Sequence, residues 1–136
     1  MTTLELHSRD KEELIEITSR VGEIVSRSGC SQGACLVYTP HTTAGITINE
    51  NADPDVVRDI LYGLGRIVPS GGYRHGEGNS PAHLKSSLMG CSKQILVEGG
   101  RLVLGTWQGI YFCEYDGPRK RQVLVRIIPS SSEPAV

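Results

Sequence analysis

The strongest constraint on the fold lies in the last third of the chain, where a glycine pair separates two apolar segments. Residues 93–98 and 101–106 flank Gly99-Gly100, and a glycine pair between two such segments is typical of a tight β-hairpin. A turn at 116–118 and two further strands are predicted after the hairpin, over residues 107–115 and 122–128. The end of the chain is therefore predicted to form an antiparallel sheet.

The earlier part of the chain alternates between strand and helix patterns. A helix is predicted over residues 11–28, because apolar residues recur there at helical spacing: Leu14, Ile17, Val21, Ile24 and Val25. The Asp53-Pro54 pair is typical of a helix start, and Ser80-Pro81 repeats the signal for a helix that ends near Met89. Strands are predicted over residues 2–7, 34–39 and 44–49, with a glycine-rich loop over 65–78.

This order predicts one α+β domain over residues 1–136, with a mostly antiparallel, sandwich-like sheet and about three helices packed on it. The polar end, residues 129–136, is expected to be a flexible tail. A formal net charge of −1 gives no general attraction for nucleic acid or an anionic membrane. Without an apolar run near the roughly 20 residues of a membrane span, and without signal-peptide features, a cytoplasmic protein is expected.

Three histidines are the candidate metal ligands. His75 and His83 are bridged by a Gly-Glu-Gly turn and the start of a helix, and His41 directly follows a predicted strand. Neutral imidazole suits zinc and similar ions, and three histidines plus water form an open, catalytic type of site. The spacing alone is not diagnostic, because histidine is also found in cores and loops.

A phosphate site is predicted beside these histidines. The helix start at Ser80, next to Asn79, offers backbone N–H groups and a positive dipole end. Cationic side chains could add charge there: Arg74, Lys85, Arg119 and Arg121. The alternative for each cation is an ordinary solvated surface position.

Two further clusters are candidates for proton transfer and substrate contact. Glu50, beside Asn49, is interpreted either as a general base or ligand-orienting group, or as a surface acid ahead of a helix. Trp107 and Gln108 precede Gly109, and the indole could stack on a flat heterocycle or pack in a core or interface.

Taken together, four ordered motifs resemble the YjbQ-type family, also called the secondary thiamine-phosphate synthase family. They span nearly the whole chain: His41-Thr42-Thr43-Ala44, Asn49-Glu50-Asn51 with Asp53-Pro54, His83-Leu84-Lys85-Ser86-Ser87 and Gly105-Thr106-Trp107-Gln108-Gly109-Ile110. The resemblance implies a β-rich, sandwich-like fold and a homotrimer. It also implies a metal ion, zinc above all, held by His41, His75 and His83.

The implied activity joins a hydroxymethylpyrimidine diphosphate to a thiazole phosphate and releases pyrophosphate. A diphosphate substrate normally uses magnesium, which prefers oxygen ligands, whereas three histidines suit zinc. In this reading Glu50 and Lys85 are catalytic, and the phosphorylated substrate is contacted by Asn49, Asn79, Ser80, Trp107, Gln108 and Arg119. The alternatives are a zinc-dependent hydrolase of a phosphorylated small molecule and a non-enzymatic trimeric metabolite-binding protein.

Overall fold

Two antiparallel sheets and three helices make up the α+β fold of residues 1–131, the part of the chain that the computed structural model describes. In chain order the elements are β1 (Thr2–His7), β2 (Glu13–Glu16), α1 (Thr18–Ser28), β3 (Gln32–Tyr38), β4 (Ala44–Glu50), α2 (Pro54–Ile67), α3 (Ser80–Met89), β5 (Ser92–Glu98), β6 (Arg101–Leu102), β7 (Gln108–Glu114) and β8 (Lys120–Pro129). The larger sheet has the order β1-β8-β3-β5-β6, and the smaller sheet has the order β2-β7-β4. The predicted fold class is confirmed.

The main core lies between the two sheets and one face of α1. Val21 and Val25 of α1 are fully buried there, together with Phe112 of β7 and Val123 of β8. A second, smaller cluster covers the opposite face of the small sheet, where Tyr115 and Cys113 pack against residues of α2 and α3. The small sheet is therefore the middle layer, and both of its faces are covered.

The helix predicted over residues 11–28 is wrong in its first third. Residues Glu13–Glu16 form strand β2, and the helix begins only at Thr18. Leu14 and Ile15 point to opposite faces of the small sheet, toward the second cluster and the main core respectively. The sequence pattern was ambiguous, because the backbone partner of β2 is the edge of β7, nearly a hundred residues away.

Smaller differences concern the ends of elements. The predicted strand over residues 101–106 is paired only over Arg101–Leu102. Helix α2 runs to Ile67, so the predicted loop begins later than residue 65. The cap residue of α3 is Asn79, and Ser80 is the first helical residue.

The predicted flexible tail begins inside an ordered strand. Pro129 is the last residue of β8, and the backbone N–H of Ser130 donates to the carbonyl of Gln32 at 2.9 Å. The rest of that prediction falls on residues 132–136, which lie outside the described part of the chain. Within residues 1–131, none of the helices has the length and apolar character needed to cross a membrane.

Candidate functional site

A polar cleft of about 410 Å³ brings the three predicted histidines together. His41, His75 and His83 all line it. The remaining lining residues are Pro40, Thr42, Thr43, Glu77, Asn79, Arg119 and Arg121. The cleft therefore gathers imidazole, guanidinium and amide groups from four separate segments of the chain.

The fold positions each histidine by a different device. Strand β3 ends at Tyr38, and His41 follows within the short connection to β4. His75 lies in the glycine-rich loop between α2 and α3, whereas His83 lies in the first turn of α3. The rings of His75 and His83 meet edge to face, with centroids 5.6 Å apart.

His41 is held by the larger sheet. Its Nε2 accepts a hydrogen bond from the backbone N–H of Gln122, with a nitrogen-to-nitrogen distance of 2.9 Å. Burial, followed by the positive charge of Arg121, lowers the pKa of His41 below its usual value, although the carboxylate of Glu114 acts in the opposite direction. The lowered pKa favours the neutral form of His41.

A buried ion pair joins Arg121, which lines the cleft, to Glu114 behind it. The Arg121 guanidinium donates to both carboxylate oxygens of Glu114, from Nε to Oε1 at 2.9 Å and from Nη2 to Oε2. Arg121 Nη2 also donates to the hydroxyl of Thr43, and the Ser8 hydroxyl donates to Glu114 Oε1 at 2.6 Å. Both charged side chains are almost wholly inaccessible, at 2% and 0% exposure.

Hydrogen bonding decides the ionisation of this pair. Burial alone would raise the pKa of Glu114, but hydrogen bonds from Arg121, Ser8 and the Asp116 amide outweigh it. The charge of Arg121 acts in the same direction, so the pKa of Glu114 is lowered. The pair is ionised, and it fixes one end of β7 against β8.

Arg119 is the more accessible cation of the cleft. Its Nε donates to the carbonyl of Asp116 at 2.8 Å, and its Nη2 donates to Asp116 Oδ2 at 3.1 Å. Asn79 Nδ2 donates to the same carboxylate at 3.0 Å. Asp116 thus orients Arg119 and Asn79 together on one side of the cleft.

The start of α3 offers less to a phosphate than the sequence suggested. The N–H groups of Ala82 and His83 already donate to the carbonyl of Asn79, and Pro81 has no N–H. Ser80, a predicted substrate contact, is buried at 8% exposure and does not line the cleft. Any phosphate bound here would depend mainly on side-chain donors.

Lys85, predicted to be catalytic, faces a separate cavity of about 90 Å³ behind the cleft. Its ammonium group donates to Glu12 Oε2 at 2.7 Å, and the side chain is only 8% exposed. Asn79 lines both spaces and forms the wall between them. The structure therefore brings Lys85 near the site but not into the cleft.

The other predicted residues lie at the far end of the small sheet. Glu50 pairs with Gln108, and Asn49 pairs with Gly109, whereas Ala44 at the cleft end of β4 pairs with Glu114. Ala44 and Glu50 are the two ends of an extended strand and are roughly 20 Å apart. Trp107 is 62% exposed at the same far end. None of Asn49, Glu50, Trp107 and Gln108 lines the cleft of its own chain.

The donor chemistry fits a metal ion in part. His75 and His83 are near enough to each other to share a zinc-type ion through ring nitrogens. Among residues 1–131, however, no group of three or more His, Cys, Asp or Glu side chains is arranged to hold a metal. The part of the ligand set that fits is the His75–His83 pair, and the predicted set of three remains a prediction.

Sequence reasoning overlooked the acidic side of the site. Glu114 and Asp116 orient the two arginines, and neither was singled out among the candidate residues. A signal was present for Glu114, because it follows four apolar residues in a strand and a buried acid requires a partner. No sequence signal identified that partner as Arg121.

The chain is similar in sequence to a known protein family and to several of its members. The family model described as "UPF0047 protein YjbQ-like" matches residues 2–130. The chain is 50% identical over 130 residues to the UPF0047 protein YugU of Bacillus subtilis, covering 94% of this chain and 98% of that protein. It is also 50% identical over 125 residues to the UPF0047 protein MJ1081 of Methanocaldococcus jannaschii, covering 91% of each.

Solved structures give the same relationship. A crystal structure of an uncharacterized YjbQ/UPF0047 protein from Clostridium acetobutylicum matches with a TM-score of 0.92 and 56% identity, covering 94% of this chain and 100% of that one. A YbjQ-like protein of unknown function from Sulfolobus solfataricus matches with a TM-score of 0.91 and 34% identity, covering 95% and 96% of the two chains. The chain therefore belongs to the YjbQ-like UPF0047 family.

Proposed function

We propose that the cleft binds a phosphate-bearing small molecule and that the protein is an enzyme acting on it. The observation that carries the proposal is the convergence of three histidines and two arginines in one polar cleft. Arginine and neutral imidazole are suitable donors to phosphate oxygens, and Arg119 is accessible from solvent. The specific reaction proposed is of the thiamine-phosphate synthase type that the sequence motifs imply.

A divalent metal, with zinc as the first choice, is part of this proposal. His75 and His83 would hold it, and a centre of three histidines would need His41 as well. A bound zinc ion supplies Lewis-acid polarisation of an oxygen or an activated water. Arg119 and Asn79 would orient the phosphate, since Asp116 already positions both side chains on one side of the cleft.

A homotrimer remains part of the proposal because the family resemblance implies one. It would also resolve the placement of Glu50 and Trp107, which can reach a cleft only from a neighbouring copy. Large apolar side chains on the larger sheet are open to such contacts, with Leu96 at 67% exposure and Ile128 at 47%. Mixing His83→Ala and Glu50→Ala proteins tests this idea, since a shared site regains activity in the mixture.

The main test is product formation from a hydroxymethylpyrimidine diphosphate and a thiazole phosphate. We expect His83→Ala to lose activity while keeping its circular dichroism spectrum and melting temperature. His7→Ala is the matched control, because His7 is an exposed histidine on β1 that does not line the cleft. Full activity in His83→Ala would contradict the proposal.

A hydrolase is the second candidate, favoured by one pair of side chains. His75 Nε2 lies 3.9 Å from Glu77 Oε2 at the open side of the cleft, where the two could act on a water molecule. Phosphate release from simple esters, abolished by a chelator and by Glu77→Gln, would favour this reaction. Tight phosphate binding without turnover in either assay would indicate a binding protein.

A further inference from the structure

The starting observation is the position of Gln122 in the larger sheet. Strand β3 pairs with β8 only as far as Tyr38 and Leu124. Gln122 lies beyond that pair, where β3 no longer offers a backbone partner. Its carbonyl instead accepts from the Thr39 hydroxyl at 3.0 Å, and its N–H donates to His41 Nε2 at 2.9 Å. The side chains of Thr39 and His41 thus take the place of a backbone partner for Gln122 beyond the end of β3.

This arrangement fixes the tautomer of His41. A nitrogen that accepts a hydrogen bond must keep its lone pair, so Nε2 carries no proton. In neutral imidazole the single proton is then on Nδ1. No partner for His41 Nδ1 is found among residues 1–131. The ring therefore brings a hydrogen-bond donor, rather than a lone pair, to the cleft that it lines.

The same tautomer conflicts with metal binding by His41. Coordination through Nδ1 would move the proton to Nε2, where it would face the N–H of Gln122 at 2.9 Å. Coordination through Nε2 would remove the acceptor from that N–H, and an N–H left without a partner is costly. Either route disrupts the end of β8, whereas no such conflict arises at the other two histidines.

We infer that His41 is a fixed hydrogen-bond donor to an oxyanion in the cleft and not a metal ligand. The inference rests on the proposed function, since it assigns a phosphate oxygen of that same substrate as the partner of Nδ1–H. Among residues 1–131, Arg119 Nη1 donates no hydrogen bond, and Thr42 is an exposed residue of the cleft. These groups can complete the oxyanion site. Glu77 also lines the cleft, and its carboxylate disfavours a ligand with a high negative charge.

The first test needs no substitution. Long-range ¹⁵N–¹H correlation NMR on the wild-type protein at neutral pH distinguishes a protonated Nδ1 from a protonated Nε2. We expect His41 in the Nδ1–H form, with its signal shifted when inorganic phosphate is added. A protonated Nε2 in His41 would overturn the inference.

The second test separates the roles of the histidines by substitution. His41→Asn retains an N–H donor near the Nδ1 position, whereas His41→Ala removes it. We expect His41→Ala to weaken inorganic phosphate binding by about 10- to 100-fold in calorimetry, with a smaller loss in His41→Asn. Acetate, as a second oxyanion, shows whether the site prefers a tetrahedral group.

Zinc content provides the independent readout. We expect zinc to be retained in His41→Asn and lost in His75→Ala and His83→Ala, measured by elemental analysis. Zinc loss in His41→Asn as complete as in His83→Ala would overturn the inference. If His41→Ala binds phosphate as tightly as wild type does, the role of His41 is overturned but the proposed function is not. If the wild-type protein binds no phosphate, both the role of His41 and the proposed function are overturned.

Discussion

The two walls of the cleft are built in different ways. The interior wall is formed by Thr43 and Arg121, with Ser8 and Glu114 behind them. All four residues are buried and joined by hydrogen bonds. The loop wall, residues 71–78, carries His75 and Glu77, whose side chains are 45% and 75% exposed. One wall is thus held by the core, and the other wall is held by few contacts.

The difference separates stability from function within one site. Glu114 and Arg121 each provide the opposite charge that offsets the cost of burying the other. We therefore expect loss of either side chain to lower the unfolding free energy of the whole fold. The partly exposed side chain of His75 contributes little to stability, and its ring is accessible to a ligand. The following predictions test whether the two walls differ in this way.

The largest effect is expected from Glu114→Gln. It leaves the Arg121 guanidinium buried without a counter-charge, which costs about 3–5 kcal/mol of unfolding free energy. Urea denaturation measures the loss. In a double-mutant cycle with Arg121→Met, the combined loss should fall short of the sum by about 1–3 kcal/mol. Simple additivity would show that the pair is not coupled.

The same pair should make the wild-type protein sensitive to acid. Because the folded pKa of Glu114 lies below its unfolded value of about 4.3, its contribution is fully present above that pH. The contribution is lost as pH falls from the unfolded pKa through the folded one. We expect the unfolding free energy of Glu114→Gln to vary less over this acidic range than that of wild type. Equal slopes for the two proteins would contradict the assignment.

A matched pair of glycine substitutions compares the packing of the two walls. A Cβ at Gly117 would lie 2.3 Å from the Asp10 carbonyl oxygen and 2.7 Å from Ser8 Oγ, whereas a Cβ at Gly76 would meet no atom of residues 1–131 within 4 Å. Gly117→Ala should therefore cost about 1–3 kcal/mol through overpacking. Gly76→Ala should be neutral, or stabilise by up to about 1 kcal/mol. Thermal unfolding of both variants checks this, and a costly Gly76→Ala would show that the loop wall is tightly packed.

The smallest effects on stability are expected in the loop wall itself. His75→Ala and Glu77→Ala should change the unfolding free energy by no more than about 0.5 kcal/mol, because both side chains are accessible and weakly paired. Urea denaturation at neutral pH is the measurement. A large loss in either variant would place the loop wall among the structural supports of the fold.

Much of the fold could be predicted from local signals. The Asp53-Pro54 start of α2 is confirmed, with Asp53 Oδ1 accepting from the Asp55 N–H at 2.9 Å. The hairpin at Gly99-Gly100 is confirmed as well, since both glycines have positive φ angles, 58° and 75°. These features depend on neighbouring residues, and therefore a single sequence reveals them.

Features that depend on distant residues could not be predicted in the same way. Strand β2 exists because the edge of β7 pairs with it, and the helical spacing of Leu14 gave the wrong interpretation. The partnership of Glu114 with Arg121, and the bond from Gln122 to His41, require the register of the two sheets. The three histidines that were predicted to share a metal all line one cleft, whereas their role as metal ligands stays a prediction.

The most direct test of the central claim is calorimetric titration of inorganic phosphate into the wild-type protein, His83→Ala and His7→Ala. A binding site in the histidine cleft predicts binding by wild type, a loss in His83→Ala and unchanged binding in the exposed control His7→Ala. Binding that survives in His83→Ala, or that is absent from the wild-type protein, would contradict the account.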